Sequence, residues 1–133
     1  KFRSMIVETP SLASHLLKEP GSYLSPIGFF LRSTSLDELP QLISVLRGDM
    51  SFVGPRPALF NQDDLIALRT ERKIESAIPG ITGWAQVNGR DQLTIIDKVA
   101  FDEEYILRQS FWFDMKILGM TFVKVVKGTG VNH

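Results

Sequence analysis

The segments Arg32-Ser33-Thr34-Ser35-Leu36-Asp37-Glu38-Leu39-Pro40-Gln41 and Gly48-Asp49-Met50-Ser51-Phe52-Val53-Gly54-Pro55-Arg56-Pro57 carry the reading of this chain. The first sets two adjacent carboxylates, Asp37 and Glu38, where a helix should begin. Leu36, Leu39, Leu42, Ile43 and Leu46 share one face at helical spacing, which predicts a helix from about Ser35 to Leu46 with Gly48 as its stop. The second segment is a stiff Gly/Pro loop, expected to be irregular, that presents Asp49 and Arg56.

Pro40 constrains where the helix starts, because a proline deep in a helix costs roughly 3 kcal/mol. With Asp37 as N-cap, Pro40 falls in the harmless first turn. With Ser35 as N-cap, Glu38 completes a Ser-x-x-Glu capping box, and Pro40 sits less comfortably. Either way the acids stand at a helix N-terminus, where the dipole favours negative charge. Capping is the commoner role for such residues. Three features favour chemistry instead. Two adjacent acids are more than one cap requires, Arg32 precedes Asp37 by five positions, and the proline-rich loop brings Arg56 back. An ionised aspartate can attack phosphorus or hold Mg²⁺, and arginines can pair with phosphate oxygens through two donors. A structural salt bridge for Arg56 and a solvated helix flank for Arg32 are the plain alternatives.

Outward from this centre, Lys1 to Val7 reads as a short strand and Glu8 to Ser14 as a loop or helix approach. Pro20-Gly21 and Ser25-Pro26 mark turns, and Ile27 to Arg32 is a short apolar run ending in a cation. A second helix is expected from Asp63 to Ala77, acids first and Arg69, Arg72 and Lys73 later, in the order the helix dipole prefers. Arg69 to Lys73 reads as a solvated face. Pro79 to Gly83 reads as a turn, Trp84 to Val87 as a strand, and Asn88-Gly89 as a tight turn. Helices are expected over Ile95 to Gln109 and Asp114 to Lys127, with Gly128 to His133 as a tail.

Composition limits the function classes. The 133 residues fit one domain, 1–133, with 44% hydrophobic and 23% charged side chains. Fifteen basic and fifteen acidic residues balance to zero, which argues against a nucleic-acid binder. The absence of cysteine excludes disulfides and thiolate chemistry. His15 and His133 are the only histidines and lie far from the dense motif, against a Ser-His-Asp machine or a His-rich metal site. No apolar run reaches the roughly 20 residues that span a bilayer.

Together these segments resemble the bacterial sugar transferase family, the monotopic polyprenyl-phosphate phosphoglycosyl transferases. The likeness runs through Lys1-Phe2-Arg3-Ser4-Met5, Thr34 to Gln41, Gly48 to Ser51, Val53 to Pro57, Pro79 to Arg90 and the region Asp102 to Asp114. It implies an α+β, helix-rich compact domain with a few short strands. It also implies transfer of a sugar 1-phosphate from a UDP-sugar to undecaprenyl phosphate, releasing UMP and starting a bacterial surface glycan. By the same resemblance Asp37 is the nucleophile and a Mg²⁺ ligand, and Glu38 supports it. Lys1, Arg32, Arg56 and Arg90 are the phosphate and nucleotide cations. Members carry an N-terminal re-entrant membrane helix, broken by Ser-Pro, before Lys-Phe-Arg. None stands before Lys1 here, so a truncated N-terminus is expected. Ser44 stands where an Asn is common. The resemblance places the protein on the cytoplasmic face of the bacterial inner membrane.

Phe111-Trp112-Phe113 leads into a stretch with Lys116, Lys124 and Lys127 among apolar residues. It can be a helix in the membrane interface, with lysines reaching headgroups, or ordinary core with a wet side. The rival to an enzyme is an inactive membrane-peripheral remnant that binds nucleotide or lipid phosphate.

Overall fold

A computed structural model describes residues 2–10, 18–34, 36–58, 62–89 and 92–127. Six α-helices follow in chain order among them: α1 (Gly28–Ser33), α2 (Gln41–Leu46), α3 (Asp63–Glu71), α4 (Trp84–Asn88), α5 (Ile95–Arg108) and α6 (Phe111–Lys127). Two short strands, β1 (Ser51–Val53) and β2 (Gly80–Thr82), pair in parallel, with Ser51 opposite Gly80 and Val53 opposite Thr82. The fold is α+β, as expected.

The long helices α5 and α6 start at side-chain caps. Thr94 Oγ1 accepts the Asp97 N–H at 3.1 Å at the head of α5. Ser110 Oγ accepts the Phe113 N–H at 3.1 Å, which starts α6 at Phe111 rather than at the expected Asp114. These two helices carry most of the core. Tyr105 of α5 and Phe113 and Ile117 of α6 pack with Val53 of β1 and Val87 of α4. A second cluster joins Leu65 of α3, Val99 of α5 and Ile74, and Ile106 packs against both clusters.

The shorter elements depart from the sequence reading. The expected helix from Ser35 to Leu46 is two pieces, a 3₁₀ turn Leu36–Glu38 and then α2, with Pro40 between them as the N-cap of α2. Proline lacks the N–H a continuous helix needs, so the break falls there. The predicted stop holds: Gly48 takes the left-handed conformation at φ +81°. Helix α3 ends at Glu71 rather than Ala77, because Lys73 sits at φ 58° before a separate 3₁₀ turn at Ile74–Ser76. Ile27 to Arg32 largely forms α1. Phe2 to Val7 is not a strand but carries a single antiparallel bridge, Met5 to Leu24.

Trp84 to Val87, read as a strand, is helix α4, and Asn88 closes that helix instead of opening a turn. The strands lie in the Gly/Pro segments read as irregular or as turn. Their glycines permit backbone contact. A Cβ on Gly80 would lie 2.1 Å from Gly54 N, and one on Gly83 would lie 2.2 Å from Gly54 O. The Gly54 N–H donates to Thr82 O at 2.9 Å, and the Gly80 N–H to Pro55 O at 3.0 Å. The glycine-rich sequence is thus a site of close approach rather than of turning. The Gly128 to His133 tail and most of the Glu8 to Ser14 segment lie outside the described residues.

Candidate active site

The N-terminal extension Phe2–Ile6 gathers the first half of the site. The Phe2 N–H donates to the Asp37 carbonyl at 2.7 Å, which pins the 3₁₀ turn Leu36–Glu38 against this segment. Ser4 is buried, and its carbonyl accepts from the Ser25 N–H at 3.0 Å and from Ser25 Oγ at 3.1 Å. Gly28 makes that approach possible, since a Cβ there would stand 1.9 Å from Ser4 O. Arg32, in the last turn of α1, then donates from Nε to Ser4 Oγ at 3.0 Å. Arg32 and the Asp37 turn are therefore both fastened to one short extension.

Asp37 is 4% exposed. Neither it nor Glu38 is the N-cap of α2, a position held by Pro40 with no side-chain cap. Asp37 is therefore not the N-cap of α2, and Ser35, the other cap considered, lies outside the described residues. The loop after β1 supplies the second half of the site. Arg56 Nη2 donates to Glu38 Oε1 at 2.8 Å, with the two side chains 34% and 17% exposed. The structure thus brings Asp37, Glu38, Arg32 and Arg56 into one neighbourhood. Lys1 and Arg90 lie outside the described residues.

Two residues behind Arg56 escaped the sequence reading. Arg69 of α3 was read as part of a solvated face, but its side chain is nearly covered and ion-pairs with Asp102 Oδ2 of α5 at 2.6 Å. Arg72, the C-cap that follows that helix, does stay half exposed in a surface pair with Glu103. Asp102 is 1% exposed. Burial pushes its carboxyl above the ordinary range, and the charge and hydrogen bond of Arg69 pull it partly back. A signal was present in the sequence. Val99, Asp102 and Tyr105 recur at three-residue steps on the buried face of α5, and an acid on such a face needs a cation.

Beyond the acid pair, the Tyr105 hydroxyl donates to Asp114 Oδ1 at 2.8 Å and also lies 3.3 Å from the Val53 carbonyl. Burial, then the hydrogen bond and charge of Asp114, raise the phenol above its ordinary value. The Trp84 indole N–H donates to Glu104 Oε2 at 2.7 Å, and this bond, followed by that from Arg108, holds the Glu104 carboxyl low. The Arg108 guanidinium lies 4.5 Å from the Phe113 ring centre, and Lys116 Nζ 5.5 Å from that of Trp84. These contacts fasten α4, α5 and α6 beneath the β1 loop.

Helix α6 divides in two. Phe113 and Ile117 are core, whereas Phe111, Trp112, Met115, Phe122, Val125 and Val126 are exposed. Among the described residues no helix is long and apolar enough to cross a membrane. No group of three His, Cys, Asp or Glu side chains among them could cage a metal ion.

A compact α+β domain with an arginine-clamped acid pair on its N-terminal side defines a class, and the chain belongs to it: the bacterial sugar transferase family, whose profile matches residues 1–128. The chain is 43% identical over 135 residues to an uncharacterized sugar transferase, EpsL, of Bacillus subtilis, covering all of this chain and 64% of that protein. It is 44% identical over 131 residues to the UDP-glucose:undecaprenyl-phosphate glucose-1-phosphate transferase of Escherichia coli, covering 93% of this chain and 28% of that enzyme. It is 35% identical over 145 residues to the undecaprenyl-phosphate galactose phosphotransferase of Salmonella typhimurium, covering 98% of this chain and 30% of that protein. The chain therefore spans less than two thirds of the length of these relatives.

Proposed function

We propose that the chain is the catalytic domain of a phosphoglycosyl transferase that moves a sugar 1-phosphate from a UDP-sugar to undecaprenyl phosphate. One observation carries the reading. Two adjacent acids stand just before α2, whose N-cap is Pro40, with Asp37 buried and Glu38 clamped by Arg56. The named activities of the two undecaprenyl-phosphate relatives point the same way.

In this reading an Asp37 carboxylate oxygen attacks the phosphorus that bears the sugar. The bond to the bridging oxygen breaks, UMP leaves with that electron pair, and an aspartyl phospho-sugar remains. A phosphate oxygen of undecaprenyl phosphate then attacks the same phosphorus and frees the Asp37 carboxylate, so no proton need be lost from the nucleophile. Glu38, fixed by Arg56, keeps the backbone turn and the second carboxylate in place. Arg32 and Arg56 offer guanidinium donors to phosphate oxygens, and the sequence reading adds Lys1 and Arg90 as further cations. Mg²⁺ bound through Asp37 would supply charge neutralisation for the phosphates. The acceptor is a lipid, so the reaction sits at a membrane surface. We assign it to the cytoplasmic face of the bacterial inner membrane, where the product starts a surface glycan such as capsule, exopolysaccharide or lipopolysaccharide.

The test is UMP release from a panel of UDP-sugars with Mg²⁺ and undecaprenyl phosphate. Wild type should turn over at least one donor, and Asp37→Asn should lose activity while keeping its melting temperature. Near-normal turnover by Asp37→Asn sinks the nucleophile assignment. UDP binding with no release from any donor favours an inactive remnant.

A further inference from the structure

We infer that Arg69 and Asp102 form a positioning pair for the transfer reaction, acting on Glu38 through Arg56; this rests on the transferase reading above. Arg69 spends all three of its guanidinium nitrogens on two partners. Nε and Nη2 donate to Asp102 Oδ2 at 3.1 and 2.6 Å. Nη1 donates to the backbone carbonyl of Arg56 at 2.7 Å. Arg56 stands between Pro55 and Pro57, neither of which has an N–H to anchor the loop. The loop is held instead through its carbonyls, Pro55 O by the Gly80 N–H and Arg56 O by Arg69. From that fixed backbone the Arg56 side chain reaches Glu38.

The run Asp102–Arg69–Arg56–Glu38 thus ties the buried face of α5 to the acid pair. A buried ion pair adds little net stability, and well-packed apolar residues commonly replace one without loss. Its work here is geometric. It sets a carbonyl, and therefore a guanidinium, to the tolerance that phosphoryl transfer demands.

The decisive variant is Arg69→Met/Asp102→Leu in the full chain, which removes both charges and keeps the volume. It should melt close to wild type yet release UMP about 30-fold more slowly, chiefly through kcat rather than the KM for the UDP-sugar. Adding Arg56→Ala to it should cost only about 3-fold more, ending at the level of Arg56→Ala alone, although Arg56→Ala costs about 10²-fold in the wild type. Should the apolar pair unfold the protein, Arg69→Lys keeps the charge beside Asp102 and loses the fork; it should be folded and impaired. Hydrogen–deuterium exchange reads the tether without activity, and the 52–58 segment should exchange about 10-fold faster in either variant. Turnover within 3-fold of wild type in a folded variant, or losses that multiply with Arg56→Ala, overturns the inference. So does unchanged exchange. A wild type that releases no UMP while exchange responds as expected overturns the transferase reading and leaves only the tether.

Discussion

Arg56 reaches back eighteen positions to donate to Glu38 at 2.8 Å, joining the loop after β1 to the turn that holds Asp37. Both side chains keep some contact with water, so the pair should contribute under about 1 kcal/mol to folding. Its value lies in where it places two charges. Arg56→Ala should therefore lower UMP release by about 10²-fold, the order seen when one preorganised donor is removed from an active site. Its melting temperature should barely move. Arg56→Lys keeps the charge but not the planar fork, and should recover little activity. A large drop in melting temperature with kcat intact would make the pair a structural clamp only.

The strand pair makes a contrasting prediction about stability. Gly80→Ala puts a methyl group 2.1 Å from the Gly54 nitrogen, and the obstacle is backbone, which cannot rotate away. We expect a loss of roughly 3 kcal/mol, at the upper end for overpacking. Gly119→Ala is the control. Gly119 lies within α6, with nothing within 4 Å of the added methyl. That change should stabilise by up to about 1 kcal/mol, because alanine is the better helix former. Urea denaturation of the two variants should move the midpoint in opposite directions.

Helices α5 and α6 were legible because they are long enough for apolar spacing to repeat and because Thr94 and Ser110 mark their starts. The strands were not. Three-residue elements give no period, and Gly54, Gly80 and Gly83 look like turn residues when their purpose is to let two backbones touch. Trp84 to Val87 misled for a related reason. Ala85 and Val87 are both buried and alternate as a strand would, yet five residues of helix can do the same. At the site, the acid pair and Arg56 stood out by density and by the family they resemble. Arg69 and Asp102 did not, because a lone charge on a helix looks solvated until its partner, 33 positions away, is seen.

Tyr105 sets an alkaline limit on stability. Its phenol is raised in the folded state above the ordinary value of 10.0, first by burial and then by Asp114. A raised folded value means that the folded state holds the proton more tightly than the unfolded one. The contribution is then fully present below pH 10 and is lost as pH rises through the folded value, with a slope of up to about 1.4 kcal/mol per pH unit. Tyr105→Phe should cost about 1–2 kcal/mol at neutral pH, since Asp114 loses a donor. That difference should shrink steadily between pH 10 and 11.5 in chemical denaturation. A constant difference across that range would show that the hydroxyl bond is not what Tyr105 contributes.

Under the proposed function, the exposed side of α6 is the face expected to meet the lipid acceptor's membrane. Trp112 is 79% exposed, with Phe111 beside it and Phe122, Val125 and Val126 further along the helix. Lys124 and Lys127 occupy its last turn. Apolar rings that enter the acyl boundary, with lysine stems reaching headgroups, fit a helix lying in the interface plane. Each such lysine should contribute about 1 kcal/mol toward an anionic surface. Lys124→Gln/Lys127→Gln should therefore weaken partition onto phosphatidylglycerol vesicles about 30-fold at low salt, and the gap should close in 0.5 M salt as charges are screened. Brominated acyl chains report the depth of each tryptophan separately. They should quench Trp112 and spare Trp84, which is partly buried and packs against Phe113 of the core. Vesicle binding with Trp112 unquenched would place the membrane on another face of the domain, the exposed Phe29 and Phe30 of α1 being the next to test in the same way.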